Sequence, residues 1–203
     1  MPTLLKPTAR AATSSRWLSR TVLAFALAAG SEAVRADAVP SRVAGLIPQA
    51  QLAGEGELRW LGLKVYTAQL FYGPAGLKLD RFSDQPIALE LRYQTSLKSE
   101  TIAESSAQEI ERLGFGDATR RARWLAEMRQ VFPNVQRGDR LTGVVEPGRG
   151  TRFFFNDKPL GLIEDAEFSQ AFFAIWLDPR TRAPSLRESL IRRSASLPGN
   201  ARP

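Results

Sequence analysis

From Gly54 to Gly73 the chain reads GEGELRWLGLKVYTAQLFYG, so dense in apolar side chains that burial is required, yet with Arg59, Lys64, Thr67 and Gln69 inside it. A helix would not open on Gly54 and Gly56 and then carry Gly62, since each interior glycine costs roughly 1 kcal/mol against alanine. At period two, Leu61, Leu63 and Val65 share one side, while Trp60, Gly62, Tyr66, Ala68 and Leu70 share the other. This predicts one long strand, covered on both faces and bent at Gly62.

The GPAG turn follows, and then IALELRYQ alternates cleanly, with Ile87, Leu89, Leu91 and Tyr93 on one face and Ala88, Glu90 and Arg92 on the other. The last two predict an ion pair on the polar face. From Ser99 the period changes. Ile102, Ser106, Ile110 and Leu113 form a helical stripe, with Ser99 as N-cap and Gly114 as C-cap. Asp117 caps a second helix that carries Trp124, Leu125, Met128 and Val131 and stops at Pro133. RLTGVVE, PGRG and TRFFFN then read as a hairpin, with Thr142 as ordinary strand filling, and NDKP turns the chain into LGLIE. Asp165 caps a third helix whose Phe168, Phe172, Ile175 and Trp176 form a bulky apolar face, and Pro184 opens a short last one. Strands, two helices, a strand meander and two more helices make an α+β chain, helices packed on an antiparallel sheet.

The beginning of the chain has a different character. Lys6, Arg10, Arg16 and Arg20 precede the apolar run TVLAFALAA at 21–29, and Ala36-Asp37-Ala38 offers a small-x-small cleavage pattern. The run is too short to span a bilayer, which takes about 20 residues, and a membrane anchor that stays attached is the alternative to cleavage. The expectation is a signal peptide over 1–38, a mature chain from Val39 that is periplasmic or secreted with no membrane span, a domain over 39–193 and a disordered tail over 194–203. Removing the leader takes five of 28 basic and two of 21 acidic residues, and lowers the net charge from +7 to +4. The remaining cations at 120–123 and 191–194 have acidic neighbours and read as solvated faces, so no nucleic-acid partner is expected.

The chain has 203 residues with 43% apolar and 24% charged, enough for one domain with a real core, and it has neither histidine nor cysteine. Ser-His-Asp triads, cysteine nucleophiles, zinc sites and disulfides are therefore excluded, and no metal or other cofactor is expected. GRG at 148–150 turns a hairpin instead of opening a helix, so it is no phosphate cradle.

The segments GELRWLGLKVYTAQLF, LRYQTSLKSETIAES, RGDRLTGVVEPGRGTRFFFNDKPLGLIED and FAIWLDPRTRAPSLRESL resemble the exported bacterial chalcone isomerase-like proteins. The resemblance runs from about Gly54 to Leu190 and implies an open-faced β-sandwich, a large antiparallel sheet with helices against it and a ligand cleft between. Family members either close chalcones to flavanones or bind fatty acids. Counting back from Val65-Tyr66, the isomerases' arginine falls near Gln49 and their strand threonine on Leu61. Their helical tyrosine, asparagine and threonine fall near Lys98, Ser105 and Ile175. None keeps the residue that does the chemistry, and losing such donors removes several kcal/mol of transition-state stabilisation.

The preferred reading is a non-catalytic, monomeric exported protein that holds a small amphipathic or fatty acid. Its expected ligand contacts are Arg59, Leu61, Leu63, Val65, Tyr66, Tyr93, Phe172 and Ile175, with Arg59 meeting the acid at the cleft mouth. The plainer alternatives are that Arg59 lies over the sheet edge and pairs with a surface carboxylate, and that the tyrosines and the aromatic helix face are core. Two other functions stay open, an isomerase (intramolecular lyase) using non-standard residues and an interaction module whose cleft is filled.

Overall fold

Residues 39–194 are described in the computed structural model, so the expected leader and all of the expected tail but Ser194 lie outside the described residues. Ser194 itself is buried and donates to the Ile191 carbonyl at 2.8 Å. A short helix α1 (Ser41–Leu46) leads into strands β1 (Gln51–Trp60), β2 (Leu63–Tyr72) and β3 (Ile87–Tyr93). Helices α2 (Ser99–Leu113) and α3 (Ala118–Val131) come next, then β4 (Arg140–Glu146), β5 (Gly150–Phe155) and β6 (Lys158–Ile163). Helices α4 (Ala166–Leu177) and α5 (Pro184–Ile191) finish the domain. The strands form one sheet in the order β1 to β6, every pair antiparallel. The expected α+β architecture, an antiparallel sheet with helices packed on it, is what the chain adopts.

The single long strand is not. Leu61 and Gly62, with φ of 47° and 81°, turn the chain back on itself, and Trp60 faces Leu63 across a hairpin. Two left-handed residues in a row give the backbone twist that a two-residue hairpin needs. Length was the missed signal, because strands in globular proteins seldom exceed about 10 residues. Gly54 and Gly56 serve packing instead: a Cβ on Gly54 would sit 2.1 Å from the Ser189 carbonyl oxygen, and one on Gly56 2.8 Å from Leu186 Cδ1. Glycine at both places lets α5 lie directly on β1.

The helix-facing side of the sheet carries Ala68, Leu70 and Tyr72 from β2, Ile87, Leu89, Leu91 and Tyr93 from β3, and Phe153 from β5. Against it pack Ile110 of α2, Trp124 and Met128 of α3, and Phe168, Phe172 and Trp176 of α4. The caps follow the sequence closely. Asp117 accepts from the Arg120 N–H, and Asp165 from those of Glu167 and Phe168. Asp165 also takes the Trp124 indole N–H at 2.9 Å, which ties α3 to the start of α4. The N-cap of α2 is Lys98 and not Ser99.

The opposite side has a smaller apolar cluster of Val43, Ile47, Phe71, Ala88, Val144 and Phe154, pinned by α1. Glu90, 6% exposed, pairs there with Arg42 and not with Arg92. Arg42 also binds Asp157 and donates to Thr142 Oγ1 at 3.0 Å, and Thr142 donates to Glu90 at 3.1 Å. Thr142 is thus a network member, not filling. Burial pulls the Arg42 guanidinium below its ordinary value while Asp157 pulls it back up. Removing one partner of a buried pair leaves the other charge stranded. Arg42→Ala should therefore cost about 3 kcal/mol in urea unfolding, the low end of such losses because Arg140 stays 3.9 Å from Glu90. Adding Glu90→Gln should restore part of it, whereas a loss below about 1 kcal/mol would mean that the pair hardly holds α1.

Candidate functional site

Tyr66 and Tyr93 are register partners on β2 and β3, so both rings stand on the helix-facing side, edge to face with centroids 5.9 Å apart. Tyr93 is buried and Tyr66 half-buried, its polar end capped by α4. The Trp176 indole N–H donates to the Tyr66 hydroxyl at 2.9 Å. Accepting that bond leaves the Tyr66 proton to give, and among the described residues nothing accepts it. The Tyr93 hydroxyl likewise has no hydrogen-bond partner among the described residues. Two O–H donors therefore stand together, unspent, at the end of the sheet from which the β1–β2 hairpin projects.

Burial pushes the Tyr66 phenol up to about 12, with the Trp176 bond pulling slightly the other way. Burial also raises Tyr93, and the neighbouring Tyr66 adds to the rise. Both are neutral donors at physiological pH. Leu58 is the register partner of Tyr66, and it, Ile102 of α2, Ile175 of α4 and Ala183 just before α5 are partly buried and pack against the core as an apolar rim to it. Deeper in, the space between sheet and helices is filled. Phe172 stacks on Phe168 at 5.4 Å and meets Phe153 edge to face at 5.3 Å.

The other expected contacts lie elsewhere. Leu61 and Leu63, 87% and 75% exposed, stand at the hairpin tip and line no cleft. Arg59 is there too, bonded to Glu57 at 2.5 Å and to the Gly62 carbonyl at 3.1 Å, which fits its plainer reading as a surface pair. The physical reason is the turn: reversing the chain at Leu61 carries these side chains out past the sheet. Val65 is half-buried, on the opposite parity to Tyr66. Phe172 is core and meets Trp176, the partner of Tyr66, at 5.2 Å, and Ile175 packs against that core, whereas Arg59, Leu61 and Leu63 lie at the hairpin tip. Trp176 as a polar partner of Tyr66 was missed, because nothing local links residues 110 apart in sequence. Gln49, at φ 57°, precedes β1 at the far end of the β1–β2 ladder, and the turn puts Leu61 in solvent, so neither position offers a donor to this site.

Surface depressions of about 380 and 520 Å³ lie between α3 and the β5–β6 edge, near Glu127, Arg149, Arg152 and Glu164, and between α2 and α3, near Glu104, Gln108 and Arg121. Neither is lined by Tyr66, Tyr93, Phe172 or Ile175. They are charged and shallow, and they offer no apolar enclosure for a ligand.

An antiparallel sheet with one helical layer and a tyrosine pair beneath that layer defines the class, an open-faced sheet-and-helix fold. The chain belongs to the chalcone isomerase-like family, whose model matches residues 41–191. An uncharacterised protein of Haemophilus influenzae is 32% identical over 146 residues, 72% of this chain and 70% of that one. The crystal structure of the Arabidopsis thaliana fatty-acid binding protein AtFAP1 superposes with a TM-score of 0.58 at 14% identity, over 79% of this chain and 98% of that one, a likeness of fold.

Because the folded phenol of Tyr66 holds its proton more tightly than the unfolded one, its contribution to stability is complete below about pH 10 and is lost as pH rises through about 12. In an ultraviolet titration of the folded protein, the phenolate signal that Tyr66→Phe removes should appear near pH 12. Appearance near pH 10, the ordinary tyrosine value, would mean that the hydroxyl is open to water.

Proposed function

We propose that this protein binds a small amphipathic acid, a long-chain fatty acid being the best match, without transforming it. The observation that carries this is the pair of unspent phenol donors, Tyr66 beneath Trp176 and Tyr93 beside it, with Leu58 opposite Tyr66 and the rim residues Ile102 and Ile175 packed on the same core. A carboxyl head group accepts from both hydroxyls, and the acyl chain lies along the rim. The head-group partner in this reading is the tyrosine pair and not Arg59, which is held at the tip. AtFAP1, a fatty-acid binding protein by its name, supports the ligand class through its fold. The leader pattern supports a site of action outside the cytoplasm.

Absence of catalysis follows from what the site lacks. The positions that correspond to the isomerases' donors hold Gln49, Leu61, Lys98, Ser105 and Ile175, and neutral phenols with strongly raised pKa values make poor bases at neutral pH. A second reading, an interaction module without ligand, is favoured by the aromatic filling of the interior around Phe172.

A hydrogen bond to a charged group contributes about 1.5–3 kcal/mol, so Tyr66→Phe should weaken affinity for a long-chain fatty acid by roughly ten- to a hundredfold in isothermal titration. The Tyr66→Phe/Tyr93→Phe double variant should weaken it further with the fold retained. Equal binding by wild type and double variant would remove the tyrosines from the site, and no binding by wild type would favour the filled interior.

A further inference from the structure

The β1–β2 hairpin breaks two local rules at one place. Trp60, Leu61 and Leu63 are 71%, 87% and 75% exposed, the large apolar side chains that the fold leaves in water among the described residues together with Leu46 at 38%. Leu61 also holds a left-handed backbone at φ 47°, in the turn position where asparagine, aspartate or glycine is the easy choice. Among the described residues no burial accounts for leucine there, since its side chain is exposed at the tip. Strained and exposed apolar residues together mark a surface shaped for an external contact.

The tip is convex and small. Fully covered, one tryptophan and two leucines offer at most about 500 Å², against the ~800 Å² per partner of a standard protein interface. A fluid lipid interface needs no such area, because it closes around a wedge. The flanking chemistry matches one. Arg59 and Lys64 stand immediately behind the apolar tip, sharing Glu57 between them. The same end of the sheet adds exposed Lys98 and Arg137 on the neighbouring loops, joined there by the Gln94 N–H to Val65 carbonyl and Gly138 N–H to Tyr93 carbonyl bonds. Glu57, Glu100, Asp139 and Asp157 are the acids at this end, and Arg140 and Lys158 add to its cations, so cations still outnumber acids and the end is complementary to anionic headgroups. Tryptophan and long cationic side chains around an apolar wedge suit the water–hydrocarbon boundary, where rings and stems are buried and the charged heads stay wet.

We propose that the β1–β2 hairpin tip, Trp60, Leu61 and Leu63 backed by Arg59 and Lys64, inserts into the interface of an anionic lipid bilayer. The proposal rests on the acid-binding reading for its purpose. β2 runs from Leu63 at the tip to Tyr66 at the site in three residues, about 10 Å of strand. A tip held in the headgroup layer therefore brings the tyrosine pair to the surface from which an amphipathic acid leaves the bilayer. A second copy of this chain or another protein would instead need a concave apolar partner face.

The test compares the full chain with the full-chain variant Trp60→Ser/Leu61→Asn/Leu63→Thr, in which asparagine suits the turn and keeps the hairpin closed. Both are sedimented with vesicles of phosphatidylcholine alone and of phosphatidylcholine with phosphatidylglycerol. Wild type should bind the mixed vesicles more tightly than the neutral ones, and the triple variant should bind the mixed vesicles at least about tenfold more weakly, with unchanged melting. The emission of Trp60, taken as the difference between wild type and Trp60→Phe, should shift to the blue on adding mixed vesicles. Equal sedimentation of the two chains, or a Trp60 emission that stays water-like, overturns the proposal, and so does a wild type that dimerises where the triple variant is monomeric. Fatty-acid titration in vesicle-free solution separates the two readings. The triple variant should keep wild-type affinity there, and a wild type that binds vesicles through the tip but no fatty acid would sink the acid-binding site and leave only the docking.

Discussion

Phe172 meets Phe132, Phe153, Phe168, Phe173 and Trp176 at centroid distances between 5.2 and 6.1 Å, and through them joins α4 to the sheet. This contact fixes the angle at which α4 crosses the strands. Asp165 at the helix start, holding the Trp124 indole, brings α3 to the same surface, and the buried Thr151–Ser169 hydroxyl pair at 2.8 Å sets the helix's height over β5. With that end fixed, Trp176 one turn past Phe172 has a single place to go, over Tyr66. The same aromatic packing that fills the interior therefore also positions the Trp176 indole that engages the Tyr66 phenol.

A sheet with one helical layer has a second face to manage. Here α1 and a few apolar residues cover part of it, and the Arg42–Glu90–Thr142 network supplies the polar closure. A buried ion pair adds little net stability against an apolar alternative, but it has one geometry, and so it specifies where a six-residue helix docks. The hairpin is the opposite case. Its tip gains nothing from the fold, so its sequence is free to answer to something outside the protein.

Most of the architecture was legible because local signals and tertiary packing agree. The alternation of β3, the helical stripes of α2 and α4, the aspartates at the starts of α3 and α4 and the proline at the start of α5 all mark elements that the structure contains. The hairpin turn was not legible, since Leu61 in a left-handed conformation is a choice that propensity argues against. Missing it misplaced Arg59, Leu61 and Leu63, whose expected roles all assumed a strand continuing through Gly62. The Arg42–Glu90 pair was hidden for another reason: it links the first helix to the third strand, and α1 is too short to announce itself and has no side-chain cap. Tyr66 and Tyr93 were visible as strand residues of the right parity. Their shared, unspent donors became visible only with the indole above them.

The central claim is that the tyrosine pair holds an amphipathic acid that the protein carries. Organic extraction of protein purified from its native cells, followed by mass spectrometry of the extract, tests this most directly. The account predicts a long-chain acid in near-equal molar amount with wild-type protein and its loss from the Tyr66→Phe/Tyr93→Phe variant. Wild-type protein that yields no lipid, or a variant that carries as much as wild type, would contradict it.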